Sequence, residues 1–112
     1  MSQLTTHILD TTKGRPAVGV VIDLYSGSND EWQLVARGVT NSDGRIPDLL
    51  KDEIVLQTGI YKMRFATKDY FDKELIKTFY PYVEIIFEIT SPEHYHIPLL
   101  LNPFGYSTYR GS

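Results

Sequence analysis

The stretch Val83-Glu84-Ile85-Ile86-Phe87-Glu88-Ile89 sets an apolar side chain at every second position, and this period of two recurs along the chain. Successive side chains of an extended strand point to opposite faces, so the pattern builds half-buried sheets and cannot build a helix bundle. Val18, Val20, Ile22 and Leu24 repeat it, as do Trp32, Leu34 and Ala36, and then Tyr61, Met63 and Phe65. Between these series lie Lys13-Gly14-Arg15-Pro16, Ser26-Gly27-Ser28-Asn29-Asp30 and Asn41-Ser42-Asp43-Gly44, all rich in residues that favour turns. One segment departs from the pattern. Lys68 to Lys77 puts Tyr70, Phe71, Glu74 and Leu75 at helical spacing and predicts a short surface helix, after which Pro81 resets the chain. About seven or eight short strands with regular turns predict an all-β sandwich of two packed sheets.

A chain of 112 residues is expected to form one domain over 1–112, with a single modest core. It can hardly enclose a deep cleft within one copy, so a site between copies is the natural solution. The 11 lysines and arginines against 14 aspartates and glutamates leave no basic patch for nucleic acid. The lack of cysteine excludes thiolate chemistry and zinc–cysteine sites. The first ten residues lack a basic start followed by a long apolar run, and no window reaches membrane-spanning length. A soluble, cytoplasmic protein is expected.

The chemistry concentrates near the end. In His94-Tyr95-His96 the two imidazoles share one strand face with Pro98 and Leu100, while Tyr95, Ile97, Leu99 and Leu101 take the other. Apolar residues on both faces call for cover on both, and a second subunit is the simplest cover for the outer one. In the N-terminal strand Thr5, His7 and Leu9 share a face opposite Leu4, Thr6 and Ile8. Near the C-terminus Gly105, Ser107, Tyr109 and Gly111 alternate with Tyr106, Thr108 and Arg110. If the three strands are neighbours, His7, His96 and Tyr109 line one surface. Three readings of the histidines stay open: a metal site, which needs all three to converge; a metal-free acid–base site; and a polar strand with no ligand. Arg45 follows the 41–44 turn and opens a short strand, Arg45-Ile46-Pro47; a solvated turn arginine is the bland alternative. Arg110, two residues from the end, calls for an anionic partner if buried, and the carboxylate of Ser112 or a ligand would serve.

The whole chain resembles the 5-hydroxyisourate hydrolases, the transthyretin-like enzymes of urate breakdown. The resemblance rests on Thr6-His7-Ile8-Leu9-Asp10 with Gly14-Arg15-Pro16-Ala17, on Asn41-Ser42-Asp43-Gly44-Arg45, and on Gly59-Ile60-Tyr61-Lys62. It continues through Phe79-Tyr80-Pro81 and His96-Ile97-Pro98-Leu99-Leu100-Leu101 to the ending Tyr109-Arg110-Gly111-Ser112, its most specific element. It implies a sandwich of two four-stranded antiparallel sheets with one short helix, assembled as a homotetramer, a dimer of dimers with a central channel. It implies active sites at the dimer–dimer interface, lined by His7, Arg45, His96, Tyr109, Arg110, Gly111 and Ser112, the chain end forming a wall. In the related hormone carrier, lysine, glutamate and threonine stand where this chain has His7, Arg45 and His96, and the terminal tetrapeptide is missing.

The reaction so implied is attack of water on the C6 carbonyl of 5-hydroxyisourate, opening the bond to N1 to give 2-oxo-4-hydroxy-4-carboxy-5-ureidoimidazoline. It calls for no metal and no cofactor. His96 is expected to activate the water, His7 to position it or return the proton, and Arg45 to hold the carbonyl-rich substrate. His94 is expected to support the site. The alternative is a non-catalytic carrier of a small aromatic ligand in the tetramer channel.

Overall fold

The computed structural model describes residues 2–28 and 30–111. Its elements, in chain order, are β1 (Leu4–Asp10), β2 (Arg15–Pro16), β3 (Val21–Ser28), β4 (Glu31–Val39), β5 (Gly59–Phe65), α1 (Thr67–Lys73), β6 (Val83–Ile89), β7 (Tyr95–Asn102) and β8 (Gly105–Thr108). They form two four-stranded sheets of order β2-β1-β7-β8 and β4-β3-β5-β6. Leu4, Ile8, Ile97, Leu99 and Leu101 from the first sheet meet Ile22, Leu24, Met63, Phe65, Val83 and Ile89 from the second in one buried core. The alternation read from the sequence is therefore a burial pattern; it holds residue by residue through β1, and through β7 except at Pro98, which is buried as well.

Three details depart from expectation. The sheets are not wholly antiparallel: β1 runs parallel to β7, with Thr5 opposite His96 and His7 opposite Pro98. Antiparallel pairing is dictated by tight hairpins, and these two strands are joined by the whole second sheet rather than by a hairpin.

The alternation of Trp32, Leu34 and Ala36 is broken by a bulge. Leu24 pairs with Ala36 but Tyr25 pairs with Leu34, leaving Val35 as the extra residue. Ala36 thus packs on the core, while Leu34 is exposed on the outer face with Tyr25.

The helix stops at Lys73, short of Lys77. Leu75 adopts φ 59° and is 95% exposed, and the N–H of Ile76 turns back to the Phe71 carbonyl at 3.0 Å. That closes the last turn in the way a glycine more often does. Tyr70 and Phe71 anchor the helix from its buried side. The Tyr70 hydroxyl donates to the buried carboxylate of Asp10 at 2.7 Å, and the same carboxylate accepts the N–H groups of Thr12 and Lys13. Burial, reinforced by that hydrogen bond, holds the Tyr70 phenol well above its ordinary pKa. Among the described residues no helix is long and apolar enough to cross a membrane.

Candidate active site

Four segments far apart in sequence meet on the outer face of the first sheet. Strand β1 contributes Thr5 and His7, which point away from the core. The parallel register sets Thr5 beside His96 of β7.

The 41–45 turn delivers Arg45. The Asn41 side chain accepts the N–H groups of Asp43 and Arg45 at 2.9 and 3.2 Å, and Gly44 takes φ +73°. A Cβ on Gly44 would stand 2.6 Å from the Ile8 carbonyl, so only glycine lets the turn lie this close to β1. Ile8 then donates to the Gly44 carbonyl at 2.9 Å, and Arg45 pairs with His7 in an isolated antiparallel bridge. Residues directly opposite in such a bridge share a face, which places the guanidinium stem beside the imidazole. The expected strand Arg45-Ile46-Pro47 is reduced to this one bridge residue, because Pro47 has no N–H with which to extend a ladder.

The chain end supplies the fourth segment. Gly111 donates its N–H to the His96 carbonyl at 2.8 Å. A Cβ there would lie 2.5 Å from His96 Cδ2, so the absence of a side chain lets the backbone pack on the imidazole edge.

An open concavity of about 530 Å³ on this face is bordered by Thr5, Asn41, Asp43, Arg45, His94 and His96; neither His7 nor Gly111 lines it. Burial and the Arg45 charge hold His7 below its ordinary pKa, against an opposing pull from Asp43. His96 is depressed by burial, by Arg45 and by its histidine neighbours His94 and His7. Both shifts favour the neutral ring, the form able to accept a proton. Among the described residues no carboxylate lies within ion-pair distance of Arg45, and no three His, Asp or Glu side chains are placed to hold a metal ion.

Tyr95, between the two histidines, is buried on the opposite face, where its hydroxyl accepts the N–H groups of Thr90 and Ser91 at 3.0 and 3.2 Å. That pins the turn from which His94 emerges.

His7, Arg45, His96 and Gly111 are thus brought together. Arg110 is not: within one chain its guanidinium sits 4.3 Å from the Tyr95 ring centroid and donates to Glu93 at 2.8 Å. Tyr109, 59% exposed, lines with Arg110 a second opening between the sheet edges, alongside Phe87 and Ile97. The register of β8 against β7 carries on to the His96–Gly111 bridge, so strand parity turns Arg110 to the Tyr95 face, away from the histidines. Ser112 lies outside the described residues.

Thr5 is the residue that sequence reasoning passed over. Its hydroxyl lies 2.9 Å from His94 Nε2 and 2.8 Å from His96 Nδ1. Its shared face with His7 was visible, but its place opposite the histidines follows only from the parallel register.

Fold and site together define a transthyretin-like sandwich with acid–base side chains on one outer face. The chain belongs to the HIUase/Transthyretin family, whose model matches residues 4–111. A probable 5-hydroxyisourate hydrolase of Schizosaccharomyces pombe is 46% identical, the match covering 97% of this chain and 90% of that protein. The 5-hydroxyisourate hydrolase of Klebsiella pneumoniae superposes with a TM-score of 0.86 at 36% identity, covering 97% of this chain and 98% of that one. Sea bream transthyretin, solved in complex with thyroxine, superposes with a TM-score of 0.90 at 33% identity, covering 98% and 95%. The backbone alone does not separate the hydrolase from the thyroxine-bound transthyretin.

Proposed function

We propose that this protein hydrolyses 5-hydroxyisourate to 2-oxo-4-hydroxy-4-carboxy-5-ureidoimidazoline. The observation that carries the reading is the convergence of two imidazoles with a guanidinium that has no carboxylate partner among the described residues. His96 takes the proton of the attacking water through Nε2, the nitrogen left over once Nδ1 is engaged by Thr5. Arg45 lies against the C6 carbonyl and stabilises the oxyanion as it forms, a role worth about 2.7–4 kcal/mol of barrier. His7 positions the water, and the proton taken up by His96 returns to N1 as the ring opens.

The open concavity is completed by self-association into a homotetramer, with Tyr109, Arg110, Gly111 and Ser112 closing the substrate pocket. Gly111 already packs on His96. The Arg110–Glu93 pair is exposed and holds its guanidinium weakly, so Arg110 is free to turn toward substrate.

Hydroxyisourate generated with urate oxidase and followed by absorbance tests the reading. Decay faster than the spontaneous rate supports it, and an unchanged rate ends it. The thyroxine-bound relative favours a carrier as the second reading. A carrier would bind an aromatic ligand without speeding this decay.

A further inference from the structure

Thr5 stands directly across from His96 in the parallel pair, and both nearby imidazoles aim a ring nitrogen at its hydroxyl. The two rings lie nearly parallel, 6.4 Å apart with 19° between their planes. A hydroxyl has one proton to give and two lone pairs. It cannot donate to both rings at once. If it donates to His96 Nδ1, then His94 must donate its Nε2–H, and both rings carry their proton on Nε2. If it donates to His94 Nε2, then His96 must donate its Nδ1–H, and both carry it on Nδ1. With both rings donating, the hydroxyl proton has no protein acceptor among the described residues.

Building on the hydrolase reading, we propose that the Thr5 hydroxyl locks His94 and His96 into the same tautomer and relays protons between the cleft and solvent. In the Nδ1 state, His96 Nε2 is bare and takes a proton from the attacking water. The Nδ1 proton of His96 passes to Thr5 Oγ1 as the Thr5 proton passes to His94 Nε2. Exposed His94 then releases its Nδ1 proton to solvent, leaving both rings in the Nε2 state. When His96 gives its Nε2 proton to the leaving nitrogen, the three transfers run in reverse and His94 Nδ1 is refilled from solvent. No net proton is gained over a turnover. Among the described residues, His7 on β1, Asp43 and Arg45 on the turn, and His94 on its own strand are the charged or titratable groups facing His96. Thr5 is thus a positioning residue, acting through His96.

Long-range proton–nitrogen NMR spectra of the full chain, recorded above the histidine titration, read each ring's tautomer without substrate. The same tautomer in His94 and His96 is expected, and opposite tautomers overturn the proposal. The spectrum decides this even for a chain that leaves hydroxyisourate untouched, so failure of the hydrolase reading is seen separately. In the kinetics, Thr5→Val should lower kcat more than about tenfold with KM changed less than about twofold, and Thr5→Ser should restore kcat to within about threefold. Wild-type kcat in folded Thr5→Val overturns the relay.

Discussion

The two outer faces of the sandwich dispose of charge in opposite ways. On the β4-β3-β5-β6 face, Lys62 sits over the Trp32 and Tyr25 rings at 4.5 and 5.2 Å and reaches Glu84 at 3.2 Å. Arg64 lies 4.0 Å from the Tyr82 ring centroid, and Arg37 pairs with Asp23. Each cation is matched locally. On the other face, Arg45 has no such match among the described residues, and its charge lowers the pKa of two imidazoles, His7 and His96. A matched charge stabilises the fold. One with no partner among the described residues, set beside available bases, is poised for an electron-rich ligand.

The largest test of that contrast sets one substitution on each face. His96→Ala should lower kcat for hydroxyisourate by about 10²–10⁴ while the protein stays folded, the range for losing a general base. Lys62→Met should leave kcat unchanged and reduce stability by roughly 1–2 kcal/mol, from lost cation–π and ion-pair contacts. Equal loss of activity on both faces would erase the distinction.

Arg45→Gln sharpens it next. Removing the guanidinium should cut kcat/KM by about 10²–10³. It should also raise the pKa of both histidines, moving the acid limb of the pH–rate profile upward, because the cation had been holding them down. In the parent protein that limb should lie below the ordinary histidine value of about 6.5. The sign carries over to stability. The folded rings bind protons less readily than the unfolded ones, so the unfolding free energy should fall as pH drops below about 6.5. Urea unfolding across that range reads it directly.

Much of this arrangement is written in residue patterns. Alternation in Val83–Ile89 and Tyr61–Phe65 follows from sterics local to each strand, and the spacing of His94 and His96 fixed their common face. What was not legible depends on partners distant in the chain. Thr5 looks like any β-forming threonine until the parallel register puts it beside His96. The Val35 bulge depends on how β4 pairs with β3, and a bulge leaves no mark on composition. Arg110 was read with the site because of its motif, whereas within one chain it finds Tyr95 and Glu93 nearer to hand. Leu75 continued the helical spacing, but the turn-closing bonds to Asp72 and Phe71 end the helix before it.

Smaller effects belong to the frame that both faces share. Tyr70→Phe removes one donor from the buried Asp10 carboxylate and should cost about 1–3 kcal/mol without altering kcat, as seen in thermal unfolding beside the kinetic assay. Leu75→Gly relieves a left-handed backbone at an exposed site and should raise stability by roughly 1 kcal/mol.

The claim that unites these results is that the His7–Arg45–His96 cluster acts on hydroxyisourate. The most direct measurement is the absorbance decay of freshly generated hydroxyisourate with the parent protein and with folded His96→Ala. Rapid decay with the first, and decay slowed toward the spontaneous rate with the second, is the predicted result. Identical decay with either protein, whether fast or spontaneous, would contradict it.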